Sequence, residues 1–401
     1  MTSVTSRGRP VRPLPRLWVM ALALVSVAAN LRIAITSVPP LIDVISADLR
    51  LSHAAAGALT TLPVLCMGLF APLATGIAHR MGAVAAVLAA SAAVTVGVAS
   101  RLFGESVLVL YLGTFVAGVG IATAGTLLPR LVKSFFAPER SGLVTGLYML
   151  AMMGGATVSS AAAVPLMERL GSWQGSIASW AIVALVGTLV WAPFTLRANP
   201  HHTRDEGRPG RLPWRHPTAW LVASYLVLQS WSFYSMVAWL SPTYVELGWR
   251  KGDAGFLLAV CTSAQLVSGI VGPALSDRVR DPRRLLVPSG LLSLGGSLAV
   301  FAVPLAAPWL WAVLIGLGQG AAFALGLVLL VRYAASPAAS GRLTGMAFLV
   351  SYGIASLGPL AMGLLRDLSG TLSPVWLVLA LIGTAQTALA LRMRPGLAKV
   401  H

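Results

Sequence analysis

The chain is a succession of long apolar runs separated by short segments that carry most of its charged residues. A helix needs roughly 20 mostly apolar residues to cross the hydrocarbon core of a bilayer. One charge-free run, 285–331, is too long for a single crossing and divides at Ala306-Ala307-Pro308. The pattern therefore predicts about twelve transmembrane helices. The runs are 17–38, 54–78, 83–100, 107–129, 141–167, 173–196, 218–245, 254–276, the two parts of 285–331, 343–365 and 368–391.

These runs predict helices because only helices and closed barrels satisfy the backbone in lipid, and barrel strands need only about 9–11 alternating residues. The four arginines before the first run resemble the start of a secretory signal. Cleavage of this segment as a signal is not expected in a chain with so many later membrane spans. The first run is therefore interpreted as a retained helix.

Basic residues are distributed asymmetrically between the two sets of loops. With the N-terminus placed in the cytoplasm, 22 of the 29 Lys and Arg residues fall in inner segments and six in outer ones. The remaining one, Arg32, lies inside the first run. Cytoplasmic loops carry an excess of Lys and Arg, so both termini are predicted to be cytoplasmic, in a multi-pass protein of the cell membrane.

The longest internal polar stretch lies near the middle of the chain and is rich in proline and arginine. Such a stretch is typical of a linker. We therefore expect a cytoplasmic tail at 1–16, a six-helix half at 17–196, a cytoplasmic linker at 197–217, a second six-helix half at 218–392 and a tail at 393–401.

The two halves repeat one another along the sequence. Arg80 matches Arg278 at a shift of 198 positions, and the glycines of Gly118-Val119-Gly120 match those of Gly316-Leu317-Gly318 at the same shift. Ordered matches of this kind favour two halves of the same orientation, each with an even number of helices. Further matches at shifts of 198 or 199 join Asp48-Leu49 to Glu246-Leu247, Ala56-Gly57 to Ala254-Gly255, Pro138 to Pro337, Gly142 to Gly341 and Gly146 to Gly345.

Composition excludes most soluble functions. Apolar residues make up 57% of the chain and charged ones 10%, whereas soluble domains carry about 25% charge. The formal net charge of +17 would suggest nucleic acid in a soluble protein. Here the concentration of basic residues in the inner loops explains the positive charge, and no nucleic-acid partner is expected. Cys66 and Cys261 lie inside apolar runs and are interpreted as small core residues.

The loops after the second and eighth runs resemble a motif of the major facilitator superfamily, Gly-x-x-x-Asp-Arg-x-Gly-Arg. In that family these residues join the inner helix ends and take part in gating, which points to Arg80, Asp277 and Arg278 here. His79 replaces the usual Asp in the first copy and puts its role in doubt. The first copy is Gly76, His79, Arg80 and Gly82, and the second is Gly272, Asp277, Arg278, Arg283 and Arg284.

Longer runs are similar to the cyanate/2-nitroimidazole transporter group of that superfamily, over nearly the whole chain. The resemblance implies the major facilitator fold, an all-α membrane protein of two six-helix halves, with a solute site near mid-membrane between them. The runs are Ala28-Ala29-Asn30-Leu31-Arg32, Ala34–Val38, Leu127-Leu128-Pro129, Thr145-Gly146-Leu147-Tyr148, Gln229-Ser230, Phe233-Tyr234, Trp239-Leu240, Gly316–Gly320 with Phe323, Ser351-Tyr352-Gly353 and Leu357-Gly358-Pro359.

Arg32 is the strongest candidate for a functional residue. A guanidinium stays charged in proteins, and at mid-bilayer it costs at least roughly 2.5–3.5 kcal/mol, so it should face a cavity or a partner. Two interpretations stand: Arg32 binds an anionic or strongly dipolar solute, or it clamps the carbonyls of a neighbouring helix. Thr36 lies one turn away on the same helix face.

Other isolated polar side chains within apolar runs are candidates for lining a solute pocket. For each, a hydrogen bond between helices is the alternative, and for Trp239 the alternative is an anchor at the membrane interface. They are Asn30, Tyr148, Gln229, Tyr234, Trp239, Gln319 and Tyr352.

The sequence lacks the motifs that nucleotide binding, catalysis or metal binding would require. There is no GxxxxGK[ST] motif, no Ser/His/Asp or paired-carboxylate constellation and no metal-ligand spacing, so neither an enzyme nor a cofactor is expected. The twelve acidic residues fall at the ends of apolar runs or in loops. Proton-coupled carriers often use an intramembrane carboxylate. Asp43 is the nearest candidate, and a coupling proton, anion co-transport, exchange and uncoupled transport all stay open.

The sequence thus predicts a secondary transporter that works by alternating access on a small anionic or polar solute, such as cyanate or an organic anion. An exporter of drugs or nitroheterocycles with a broad apolar pocket is the second hypothesis. A non-transporting membrane receptor or scaffold is a third, from another class.

Overall fold

The computed structural model describes residues 17–136, 138–195, 211–276 and 278–401. Within these ranges twelve helical spans are long and apolar enough to cross a membrane, as the sequence predicted. The tail 1–16 and most of the expected linker lie outside the described residues. The helices are α1 Leu17–Thr36, α2 Ile42–Leu49, α3 His53–Met81, α4 Ala83–Ala99, α5 Val107–Phe135, α6 Pro138–Leu170, α7 Trp173–Thr195, α8 Pro217–Glu246, α9 Lys251–Ser276, α10 Arg283–Ala302, α11 Pro308–Arg332, α12 Pro337–Ala355, α13 Leu357–Ser369 and α14 Ser373–Arg392.

Two of the twelve spans are built from more than one helix. The first joins α1 to α2 through the 3-10 turn Pro39–Leu41, because consecutive prolines cannot continue the helical hydrogen-bond ladder. The eleventh joins α12 to α13 at Ser356, three residues before Pro359. Each interruption leaves backbone carbonyls near a helix end that need other donors.

Paired glycines in α5 and α11 show that the sequence repeat is also a structural one. A Cβ on Gly118 would stand 2.9 Å from Pro63 Cα on α3, and one on Gly120 would stand 2.8 Å from Val94 on α4. In the second half, Gly316 approaches α9 in the same way. Gly318 would place its Cβ 2.7 Å from the Ser289 carbonyl oxygen on α10. Glycine therefore permits the same close helix packing in both halves.

The halves meet along two seams, one where α3 packs against α12 and α13, the other where α6 packs against α9. On the second seam the hydroxyl oxygens of Thr157 and Thr262 are 3.1 Å apart. Gly146 lies three turns before Thr157 on the same face of α6, and a Cβ there would have nothing within 4 Å among the described atoms. These contacts between the halves therefore lie toward the ends remote from the chain termini. We call that end the closed end and the terminal side, where Gly146 has no such contact, the open end.

The closed end is held by a carboxylate from one half that caps a helix of the other. Asp367, in the last turn of α13, accepts from the backbone N–H of His53 at 3.0 Å and of Ala54 at 2.9 Å, at the start of α3. The His53 ring nitrogen Nδ1 lies 2.8 Å from the same carboxylate. A negative charge at a helix N-terminus is favourable, so this contact stabilises closure at that end.

Candidate solute-binding site

Arg32 crosses from the first half of the molecule to the second. It lies in the last third of α1 and its side chain is only 7% exposed. Its guanidinium carbon stands over the ring of Phe233 at 4.8 Å and lies 5.5 Å from the ring centre of Tyr234, both on α8. Arg32 thus occupies the junction of the halves, beside two aromatic rings.

One guanidinium nitrogen of Arg32, Nη1, is buried with no hydrogen-bond partner among the described atoms. The ion pairs of the described residues join His53 to Asp367, Arg283 to Asp281 and Arg366 to Glu246, all near helix ends or in loops. Arg32 belongs to none of them. A buried unpaired charge costs several kcal/mol, and an anion bound at this nitrogen would offset that cost.

Three tyrosines surround the guanidinium at a distance where its charge acts on them: Tyr148 of α6, Tyr234 of α8 and Tyr352 of α12. The rings of Tyr234 and Tyr352 have their centres 6.3 Å apart. The Tyr234 hydroxyl donates to the sulfur of Met67, on α3, at 3.6 Å. We call Arg32, Met67, Tyr148, Phe233, Tyr234 and Tyr352 the Arg32 cage. Both halves contribute to it.

The backbone that carries Arg32 is fixed by two contacts within the first half. The Thr36 hydroxyl donates to the Arg32 carbonyl at 2.9 Å and lies 2.7 Å from the hydroxyl of Ser159 on α6. Arg101, fully buried in the segment after α4, donates from Nη1 to the Ala34 carbonyl at 2.9 Å. A cation at a helix C-terminus offsets the dipole. Thr36 and Arg101 therefore hold the end of α1, and the structure places Thr36 in a helix–helix contact.

Asn30 points away from the cage. Its side-chain amide donates to the Ser26 carbonyl at 2.9 Å and to the Val183 carbonyl of α7 at 3.3 Å. Gly187 of α7 also packs against this amide, with a Cβ position 3.1 Å from its nitrogen. The structure therefore places Asn30 at the packing of α1 on α7.

Gln229 and Gln319 form a buried network inside the second half. The Gln229 amide donates to the Gln319 side-chain oxygen at 3.2 Å. Gln319 in turn donates to the hydroxyls of Ser232 and Ser293, each at 2.8 Å. The Ser230 hydroxyl donates to the side-chain oxygen of Gln229 at 3.3 Å. Every side-chain nitrogen and oxygen of the two glutamines has a protein partner, so this network joins α8, α10 and α11.

Trp239 is fully buried at the closed end. Its indole N–H donates to the carbonyl of Pro359 at 2.9 Å, beside the break between α12 and α13. Its ring lies 6.1 Å from that of His53. The structure thus places Trp239 in the closure between the halves, two turns beyond the Arg32 cage along α8.

Asp43 lies in α2, at the same closed end. The charges that act on it come from His53, Glu246, Lys251 and Arg366, each near the end of a helix. It is separate from the Arg32 cage.

The predicted gating loops lie at the open end. Arg80 and Arg278 are exposed, and Asp277 lies outside the described residues. In the second loop, Arg283 binds Asp281 through its guanidinium, with Nη2 2.6 Å and Nε 2.9 Å from one carboxylate oxygen. These hydrogen bonds hold the pKa of Asp281 below its ordinary value.

Sequence reasoning missed three residues near Arg32. Phe233 and Met67 were not predicted, because an apolar side chain inside an apolar run carries no signal of its own. Phe348, whose ring centre is 5.3 Å from that of Tyr352, was missed for the same reason. Arg101 was counted as a loop residue. Its fully buried position was not visible in a sequence where it borders an apolar run.

Several known membrane transporters are similar to this chain. A family model described as Major Facilitator Superfamily matches residues 20–359. A 2-nitroimidazole transporter of Escherichia coli (strain K12) is 33% identical over 357 residues, which cover 88% of this chain and 90% of the relative. The cyanate transport protein CynX of the same organism is 31% identical over 377 residues, 94% of this chain and 97% of the relative. An uncharacterized transporter of Bacillus subtilis (strain 168), YycB, is 33% identical over 377 residues, 91% of each.

Solved structures share the fold at low sequence identity. The crystal structure of a D-xylose–proton symporter superposes with a TM-score of 0.76 at 14% identity, over 95% of this chain and 98% of that one. A bacterial homolog of the human lysosomal transporter Spinster, in an inward-facing and occupied conformation, gives a TM-score of 0.74 at 16% identity, with the same coverage. At these identities the likeness concerns the fold alone.

Proposed function

The chain belongs to the major facilitator superfamily, and from this premise we propose that it carries a small anionic or polar solute, bound at Arg32, by alternating access. Membership confirms the resemblance drawn from the sequence and the expectation of a membrane transporter rather than an enzyme. The solute, its site and the mechanism are the proposal.

The observation that carries the proposal is the unpartnered nitrogen of Arg32 at the junction of the halves. A permanent clamp would place this guanidinium on carbonyls or carboxylates, as Arg101 does at Ala34, although two further Arg101 nitrogens also lack partners among the described atoms. Arg32 is distinguished by its position, because it stands at the junction of the halves, over an aromatic ring, with a donor free. An acceptor that arrives with the solute completes the site.

The position of this residue supports alternating access. The Arg32 cage takes members from both halves, and we infer that the halves part beside it at the terminal end to form a cleft, while contacts join them at the other end. A bound anion draws both parts of the cage together, which favours a state closed at both ends. Separation of His53 from Asp367 and from Trp239, contacts that cross between the halves at the closed end, then opens the opposite side.

The excess of basic residues in the loops at the terminal end supports cytoplasmic termini. In that orientation the cleft faces the cytoplasm. Residues 17–196 and 218–392 then move as the two bodies of the transporter, with 197–217 as the cytoplasmic connection between them. A coupling proton is compatible with this scheme, and the xylose–proton symporter supplies the fold but no residue for that role.

The test is uptake of labelled cyanate and a panel of small organic anions into proteoliposomes, with and without an inward proton gradient. We expect saturable uptake by the wild-type protein and its loss in Arg32→Gln. Arg169→Gln is the matched control, since it removes the same charge from an exposed position at the closed end. Uptake no higher than in empty vesicles, or equal in wild type and Arg32→Gln, would reject the proposal.

A second candidate function is export of nitroheterocycles or related drugs. The aromatic members of the Arg32 cage suit a flat apolar ring, and one relative at 33% identity is named a 2-nitroimidazole transporter. The same vesicles decide between the two: transport of 2-nitroimidazole that Arg32→Gln leaves unchanged would favour this alternative. Binding of a solute without any transport would favour a receptor.

A further inference from the structure

The charge of the Arg32 cage limits the charge of its ligand. Of the six members only Arg32 is charged, and the ion pairs of the described residues lie near helix ends or in loops. One negative charge on the ligand balances the cage. A second would be buried without a partner, and a neutral ligand would leave Arg32 as it stands, so both are disfavoured by the same desolvation argument.

The orientation of Arg32 limits the shape of its ligand. The guanidinium is planar and binds a carboxylate-like head through two parallel hydrogen bonds in its own plane. The central carbon of the guanidinium lies over the ring of Phe233, 4.8 Å from the ring centre. A flat ligand bound to the guanidinium can pack against this aromatic face, whereas a puckered one packs against it less closely.

Phenol hydroxyls supply further donors around the same point. The Tyr234 hydroxyl donates its hydrogen bond to the sulfur of Met67 at 3.6 Å. Sulfur is a weak acceptor, so a charged oxygen of the ligand would displace it. The rings of Tyr234 and Tyr352 have their centres 6.3 Å apart. Arg32 and Tyr234 thus each offer a donor, and two donors favour a charge spread over two or more atoms, because each atom then accepts a separate hydrogen bond.

From these three observations we infer that the Arg32 cage selects a monoanion whose charge is delocalised over a flat group, with Phe233 as the residue that sets the preference for flatness. The inference rests on the proposed function and names the class of solute. It separates the cage from a general anion site, which would accept dianions and tetrahedral or puckered groups equally well.

The experiment is a binding panel on the purified full-length protein in detergent micelles, measured by isothermal titration calorimetry. Four compounds of similar size separate charge from shape: benzoate, its neutral counterpart benzamide, the dianion isophthalate and the puckered monoanion cyclohexanecarboxylate. We expect benzoate to bind most tightly, with benzamide and isophthalate each at least about tenfold weaker. We expect cyclohexanecarboxylate to bind roughly threefold to tenfold more weakly than benzoate, from the lost stacking.

Two variants assign these preferences to residues. Arg32→Lys keeps the charge and removes the planar fork, so it should still prefer benzoate to benzamide but lose the preference for benzoate over cyclohexanecarboxylate. Phe233→Leu should lose the same flatness preference while the charge preference remains. Equal affinity of the wild type for benzoate and benzamide, tighter binding of isophthalate, or no binding of any compound would each overturn the inference.

The outcomes differ from those of the proposed function. Charge-selective binding without transport in vesicles would leave the ligand class intact and reject the transporter mechanism. Transport that depends on Arg32 but makes no distinction between monoanions and dianions would support the transporter mechanism and reject the ligand class.

Discussion

Two buried polar clusters lie one helical turn apart on α8 and are built on different principles. In the first, Gln229 and Gln319 bond each other at 3.2 Å, and Gln319 reaches two serine hydroxyls at 2.8 Å. In the second, Phe233 and Tyr234 face Arg32, which keeps a buried donor without a partner. Both clusters stood out in the sequence as isolated polar groups in apolar runs.

The comparison teaches that hydrogen-bond satisfaction and position together separate these two clusters, because Arg101 also keeps buried nitrogens without partners among the described atoms but lies within the first half. A saturated network has no capacity for a ligand and instead joins three helices of one half. An unsaturated charge between the halves has both the capacity and the position. Changing each cluster should therefore alter a different property of the protein.

The largest effect is expected from Arg32→Met. Removal of the guanidinium takes away the counter-charge of the solute, so uptake in proteoliposomes should fall by about 100-fold or more. Because the lost group is an unpaired buried charge, the thermal midpoint of the purified protein should stay the same or rise. A large fall in the midpoint together with transport would mean that Arg32 is a structural clamp.

Gln319→Leu should lower the stability of the protein and leave solute binding nearly unchanged, the opposite of Arg32→Met. It leaves Gln229, Ser232 and Ser293 with unmet hydrogen bonds in the membrane interior, at a total cost of about 2 kcal/mol. We expect a lower thermal midpoint, while the apparent affinity of the remaining folded protein for its solute changes by less than about threefold. Loss of affinity without loss of stability would place Gln319 in the solute site and break the comparison.

A smaller effect is expected at the closure between the halves. Asp367→Asn keeps a hydrogen-bond acceptor at the start of α3 but removes the charge that caps it. We expect a shift of roughly fivefold toward the state open at that end, because a charged hydrogen bond in a half-exposed place contributes about 1 kcal/mol. The distance between spin labels at Leu170 and Leu247 measures the shift. An unchanged distribution would show that the cap does not hold the closure.

The smallest effect is expected at the loop between α9 and α10. Arg283 lowers the pKa of Asp281, so the carboxylate binds fewer protons in the folded protein than in the unfolded chain. Its contribution to stability is present above the unfolded pKa, about 3.9, and is lost as the pH falls through the lower folded value. Arg283→Gln should therefore leave the thermal midpoint nearly unchanged at pH 7, since both side chains are exposed to solvent. Any difference from the wild type should vanish once the pH is below the folded pKa of Asp281.

Much of the outcome was accessible from the sequence. The lengths and order of the apolar runs predicted twelve spans. The repeat at 198 residues matched the glycines that make equivalent contacts in the two halves. Arg32 was identified because a charge in the middle of a membrane helix is costly wherever it points.

The sequence by itself determined the class of protein, since the free energy of placing apolar runs and charges in lipid depends on composition and spacing alone. It did not determine which polar groups meet. Asn30 and Arg32 are two residues apart, yet one bonds α7 and the other crosses to α8. Only the tertiary structure decided this, because the direction of a side chain around a helix has no consequence until neighbouring helices supply partners for it or leave it without one.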